Sequence, residues 1–145
     1  DGSENMLKQF TLKKEKQNIK NIKIYKKLIN NELFPENVFD LVINNSVLHH
    51  ISDVYLFWQN LIRLIGSRGK IFLMDLVRPE SNAQLENILS KYGGSDPILL
   101  KDFENSLRAA YTVDEVRSQL SDFSQVTFDI KSVSDRHFFA TIIMR

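Results

Sequence analysis

The stretch Val38-Phe39-Asp40-Leu41-Val42-Ile43, continuing into Asn44-Asn45-Ser46-Val47-Leu48-His49-His50, decides how the rest of the chain is read. Its first six residues are short, β-branched and apolar on both faces, the pattern of a central strand in a parallel sheet covered by helices. Downstream, Val54, Phe57, Trp58, Leu61, Ile62 and Ile65 recur at helical spacing. Ser52 stands where a cap would start that helix, and Gly66 where a left-handed residue would end it. Gly69 then opens Lys70-Ile71-Phe72-Leu73-Met74-Asp75-Leu76, a second strand apolar on two faces that ends at Arg78-Pro79. Strand, helix and strand make a right-handed βαβ unit and hence a parallel sheet.

Working outward, Ser3 precedes Met6, Leu7 and Phe10 at helical spacing, so a solvated amphipathic helix is predicted to about Gln17. Ile22 to Tyr25 alternates apolar and polar and reads as a short strand near a sheet edge. Ser81 with Gln84 forms a capping-box pattern ahead of Leu85, Ile88, Leu89 and Tyr92, and Gly93-Gly94 closes that helix. Leu99 or Leu100, Phe103, Leu107 and Ala110 give another helical face. Thr112 with Glu115 opens a further helix carrying Val113, Val116 and Leu120. Val126, Phe128 and Ile130 then alternate, Ser132 to Arg136 is polar, and Phe138 to Met144 is apolar, which predicts an antiparallel hairpin. The fold class is therefore α/β: a mostly parallel, Rossmann-like sheet with helices on both faces and a C-terminal antiparallel hairpin, as a single domain over residues 1–145.

Composition narrows the function. A chain of 145 residues with 43% hydrophobic content is one domain's worth. Its net charge of +1 lacks the positive field that nucleic-acid binding uses. The lysines at 8, 13, 14, 16, 20, 23, 26 and 27 form the one basic cluster, without interleaved aromatics, and read as a solvated face. The absence of cysteine removes disulfides, thiolate catalysis and cysteine-ligated zinc, and fits a reducing, cytoplasmic setting. No apolar run approaches the roughly 18 residues of a membrane span. The expectation is a soluble protein with neither nucleic-acid nor membrane partner. Three histidines give no metal-ligand spacing, so no metal site is expected.

Phe39-Asp40-Leu41-Val42 followed by Leu48-His49-His50 resembles the fourth motif of class I S-adenosylmethionine-dependent methyltransferases, in the group that includes the ubiquinone and menaquinone biosynthesis enzymes. The Gly66-Ser67-Arg68-Gly69-Lys70 turn and the strand to Asp75 resemble the segment that follows it. Asp1-Gly2-Ser3-Glu4-Asn5-Met6-Leu7 is similar to the D-x-S-x-x-M-L stretch after that family's second strand. The order of these matches and the terminal hairpin extend the resemblance over nearly the whole chain.

Two departures matter. The family's first strand and its D/E-x-G-x-G-x-G loop lie upstream of the D-x-S-x-x-M-L stretch, and no G-x-G occurs in this sequence. The resemblance thus implies an N-terminally truncated domain whose central strand has an unpaired side. That side is expected either to pair with Ile22 to Tyr25 or to complete the sheet across a homodimer, since unpaired strand edges recruit other chains. Secondly, the family often has an acidic residue after its third strand for the adenine amino group, where this chain has Lys26-Lys27.

The resemblance implies S-adenosylmethionine as cofactor and a small-molecule methyl acceptor. It assigns Asp1 to the ribose hydroxyls, because a carboxylate accepts from both at once. Asn44, Asn45 and Ser46 follow a strand at its C-terminal end, where open α/β sheets hold ligands, and are candidates for the amino-acid part of the cofactor; the alternative is a plain strand-to-loop turn. His49 and His50 are the catalytic candidates, to orient cofactor or remove an acceptor proton, against one packed and one solvated histidine. By the resemblance Asp75, Arg78 and Asp102 to Asn105 lie on the side where the family covers its acceptor and are candidate substrate contacts; the preferred reading of Asp75 and Arg78 is as paired strand-end charges. Two functions follow: methyl transfer, or a non-catalytic methyltransferase-fold module that associates through its sheet edge. A dinucleotide-binding domain is disfavoured because its glycine fingerprint is absent.

Overall fold

The computed structural model describes residues 2–27 and 34–145. Asp1, the residue assigned to the ribose, lies outside the described residues. The chain divides into a unit of residues 1–34 and a unit of residues 35–145.

In the first unit, helix α1 spans Glu4–Lys16, with the Ser3 hydroxyl accepting the Met6 N–H at 3.4 Å. Glu4 in the first turn and Lys13, Lys14 and Lys16 in the last complement the helix dipole. None of its residues is buried, so this is the solvated helix the sequence implied. Glu4 also accepts from Lys26 Nζ at 2.8 Å. The expected strand at Ile22 to Tyr25 does not form: these residues carry no strand pairing. With three lysines, Lys23, Lys26 and Lys27, in the six residues Ile22–Lys27, alternation over four positions offers too little apolar area to hold a ladder.

The second unit carries a four-stranded sheet in the order β1-β2-β4-β3, with β1 Phe39–Asn45, β2 Ile65–Leu76, β3 Val126–Ser132 and β4 His137–Met144. β1 and β2 are parallel, with Leu41 opposite Lys70 and Asn45 opposite Met74. β4 runs antiparallel to both β2 and β3, as the C-terminal hairpin pattern required. β1 is an edge strand, and this corrects the reading of a strand buried on both faces. Leu41 is 46% and Ile43 72% exposed, while Val42 and Asn44 face the core.

Helix α2 (Val54–Leu64) crosses between β1 and β2. Its cap is Asp53, whose carboxylate accepts the Leu56 N–H at 2.9 Å, and not Ser52. Gly66 does not close it either. Ile65 leaves the helix in extended conformation and β2 begins there, so no left-handed residue is needed. Residues 66–69 instead bulge between the Phe39–Ile65 and Leu41–Lys70 pairs. Gly69 sits at the tightest point of that bulge: a Cβ there would stand 2.9 Å from the Phe39 carbonyl and 2.6 Å from Ile65 Cβ.

Three helices follow β2: α3 Asn82–Tyr92, α4 Pro97–Ala109 and α5 Val113–Ser121. Ser81 and Asp96 cap α3 and α4, and Thr112 with Glu115 closes the full capping box on α5. At Ser81 the box is shifted, since Gln84 Oε1 takes the N–H of Glu80. One face of the sheet, through Ile71, Leu73, Phe138, Ala140 and Ile142, packs on Trp58 and Leu61 of α2 and on Val116 and Leu120 of α5. Each fully buried Val, Leu, Ile or Phe side chain among these contributes about 1.5–3 kcal/mol. Trp58 Nε1–H keeps a partner inside this layer, Gln119 Oε1 at 3.0 Å. A smaller cluster joins Leu76 to Leu85, Ile88, Leu107 and Ala110, docking α3 and α4 where β2 ends.

Candidate functional site

The C-terminal ends of parallel strands are where this architecture holds ligands, and polar side chains gather there. β1 ends at Asn44 and Asn45. Ser46 then turns the chain with φ of 55°, while its N–H still donates to the Met74 carbonyl at 2.9 Å. Leu48–His50 form one 3-10 turn, with Leu48 and His49 buried and His50 exposed.

Asp75, at the end of β2, fixes this loop. It is 1% exposed and its carboxylate accepts from the Leu48 N–H at 2.7 Å, the Leu76 N–H at 2.7 Å and His49 Nδ1 at 2.5 Å. Burial pushes its carboxyl up, but the His49 hydrogen bond and charge and the two backbone donors outweigh it and hold the group below the ordinary carboxylate value. Its contact with His49 settles the imidazole as a donor through Nδ1. His50 lies with its ring 4.0 Å from that of His49. The reading of Asp75 and Arg78 as partners of each other is corrected: Asp75 binds the loop, and Arg78 binds the carboxylate of Glu115 on α5. In Glu115, burial pushes the carboxyl up, and the Thr112 N–H and Arg78 more than offset this.

The sequence candidates thus separate. Asn44, Asn45, Ser46, His49 and His50 share one loop, and Asp75 joins them from 26 residues away. Asn44 is 7% exposed and its Oδ1 has no hydrogen-bond partner among the described residues, an orphaned acceptor at the strand end. Asp102 to Asn105 lie within α4, where Glu104 is taken by Lys101 and Arg108. His137 stands at the start of β4 with Nδ1 3.1 Å from the Ser134 hydroxyl, and burial together with Arg136 lowers its pKa. Among the described residues no group of three or more His, Asp or Glu side chains is placed to hold a metal ion, and no helix is long and apolar enough to cross a membrane.

Residues 1–73, half of the chain, match the family model of the methyltransferase domain. The chain belongs to that family. Solved structures share its fold. An S-adenosylmethionine-dependent methyltransferase from Aquifex aeolicus superposes with a TM-score of 0.72 at 19% identity, covering all of this chain and 66% of that one. The YcgJ protein from Bacillus subtilis gives 0.73 at 15% identity, covering 100% and 80%. The plantazolicin methyltransferase BamL, solved in complex with a triazolic desmethylPZN analogue and S-adenosylhomocysteine, gives 0.76 at 14% identity, covering 99% and 66%. The methyltransferase domain described here therefore spans about two thirds of the length of two of these three. No curated protein matches its sequence.

Proposed function

We propose that this chain contributes the S-adenosylmethionine side of a methyl transfer to a small-molecule acceptor, at the loop from Asn44 to His50. The carrying observation is the buried, unpartnered Asn44 Oδ1 at the end of β1, beside a turn that Asp75 pins through Leu48 and His49. An orphaned buried acceptor loses stability unless a donor reaches it, and the ammonium of the cofactor's amino-acid part is such a donor. When bound, the cofactor supplies a methyl group on an already activated sulfonium. Asn44, Asn45 and Ser46 would hold its amino-acid end. His50, exposed beside His49, would orient the acceptor or take its proton, and most of the rate would come from alignment.

Calorimetric titration with S-adenosylhomocysteine tests this without knowledge of the acceptor. Saturable binding at micromolar concentration that Asn44→Ala weakens supports the reading. No heat at millimolar ligand overturns it.

A second reading has its own support. β1 is an edge strand with Leu41 and Ile43 exposed at 46% and 72% and Val38, just before it, at 46%, and apolar strand edges recruit another chain. Under it the domain works by self-association, as a homodimer through that edge. Sedimentation separates the two readings: a dimer that Ile43→Lys dissolves, together with absent cofactor binding, favours association.

A further inference from the structure

The groove between the start of α3 and the end of α4 has no part in the loop just described. It is about 410 Å³ and lined by Arg78, Glu80, Ser81, Asn82 and Arg108, with the buried side chain of Leu85 as its apolar wall. Both arginines are held by carboxylates that do not line the groove. Arg78 reaches Glu115 through one Nη, and Arg108 reaches Glu104 through Nε at 2.9 Å. A guanidinium has five N–H donors, so each keeps donors to spare while its direction is fixed. Neither Glu104 nor Glu115 lines the groove, so the residues that line it include two guanidiniums with N–H donors left over, each ion-paired outside it, and the one carboxylate of Glu80.

We propose that this groove binds the carboxylate of the methyl acceptor, an inference that rests on reading the adjoining sheet end as the site of methyl transfer. Two oriented guanidiniums and an aliphatic wall suit a carboxylate on a short apolar chain. A phosphate dianion suits it less, because Glu80 repels the second charge. At about 3.3 Å per extended residue, Arg78 stands roughly 10 Å of chain beyond Asp75. The acceptor is therefore a small molecule with its carboxylate at one end and its methylated atom at the other.

Butyrate and inorganic phosphate, titrated separately into the cofactor-free chain and followed by amide shifts of Ser81 and Asn82, test the groove independently of cofactor binding. Butyrate should saturate these shifts, and more tightly than phosphate. Arg108→Ala should weaken it about fivefold, the scale of one exposed charge-assisted contact. Glu80→Gln should tighten it, and Arg117→Ala, whose arginine pairs with Asp114 away from the groove, should leave it unchanged. Non-saturating shifts, equal losses in Arg108→Ala and Arg117→Ala, or tighter binding of phosphate would each overturn the proposal. Butyrate binding in a chain that fails to bind S-adenosylhomocysteine would sink the cofactor reading and leave the anion site standing.

Discussion

Asp75 holds His49 through a 2.5 Å hydrogen bond between side chains that are 1% and 4% exposed, and the same carboxylate takes the backbone N–H groups of Leu48 and Leu76. One buried group thus joins the end of β2 to the loop after β1. A charge buried this deeply is stable only because three donors meet it.

Removing that carboxylate should be costly. Asp75→Ala leaves His49 and two N–H groups without their acceptor and is expected to lose about 3–5 kcal/mol in urea denaturation. Asp75→Asn, which keeps one acceptor, should lose about 1–3 kcal/mol. The pH dependence has a definite sign. Because the folded-state pKa of Asp75 lies below its ordinary value of 3.8, its contribution is fully present above that value and disappears as pH falls through the lower folded one. The stability gap between the parent chain and Asp75→Asn should therefore be constant near neutrality and narrow below about pH 4. A gap that widens on acidification would contradict the assignment.

Two glycines of one turn should respond differently to alanine. At Gly69 the new Cβ would meet backbone on two sides, the Phe39 carbonyl and the Gly66 nitrogen, both at 2.9 Å. Backbone cannot rotate away, so Gly69→Ala should cost about 1–3 kcal/mol. At Gly66 the nearest atom is the Asn37 carbonyl at 3.6 Å, an ordinary contact. Gly66→Ala should stay within about 0.5 kcal/mol of the parent in thermal unfolding.

The caps at Ser3, Ser81 and Thr112 and the hairpin were legible in the sequence because they depend on neighbours; the two ends of α2 were not. The Thr112 and Glu115 box, the Ser3 cap and the alternation from Val126 act over a few residues and form as read. What depends on distant chain was not. The apolar run Leu41-Val42-Ile43 has the pattern of a central strand, but whether both faces are covered is decided by elements elsewhere, and here β1 lies at an edge. The four alternating residues from Ile22 meet the strand pattern and lack a partner strand among the described residues. In the candidate site, Asn44 to His50 stood out through motif and position after a strand. The bond from His49 to Asp75 left no local signal, because a polar residue ending an apolar strand reads equally as a surface charge.

The capping box offers a local test of the Arg78 arrangement. Thr112 Oγ1 accepts the Glu115 N–H at 3.2 Å, and Glu115 returns a bond to the Thr112 N–H at 2.8 Å while also holding Arg78. Thr112→Ala should lower stability by about 1 kcal/mol. Glu115→Gln keeps the backbone bond and loses the charge, so it should release Arg78 with little change in helicity, read from the Arg78 Nε resonance.

Ser46 separates what the strand-end loop does by its shape from what it does by its hydroxyl. Its φ of 55° lies in the left-handed region, which costs an ordinary residue about 1–2 kcal/mol and glycine almost nothing. Part of the gain from glycine is returned as backbone entropy in the unfolded chain. Ser46→Gly should therefore be neutral or raise stability by up to about 1 kcal/mol, whereas the β-branched Ser46→Val should lower it. Measured against S-adenosylhomocysteine, the same pair divides the roles. Retained affinity in Ser46→Gly with loss in Ser46→Val means that the turn itself aligns Asn44 and Asn45. Equal loss in both means that the Ser46 hydroxyl contacts the ligand directly.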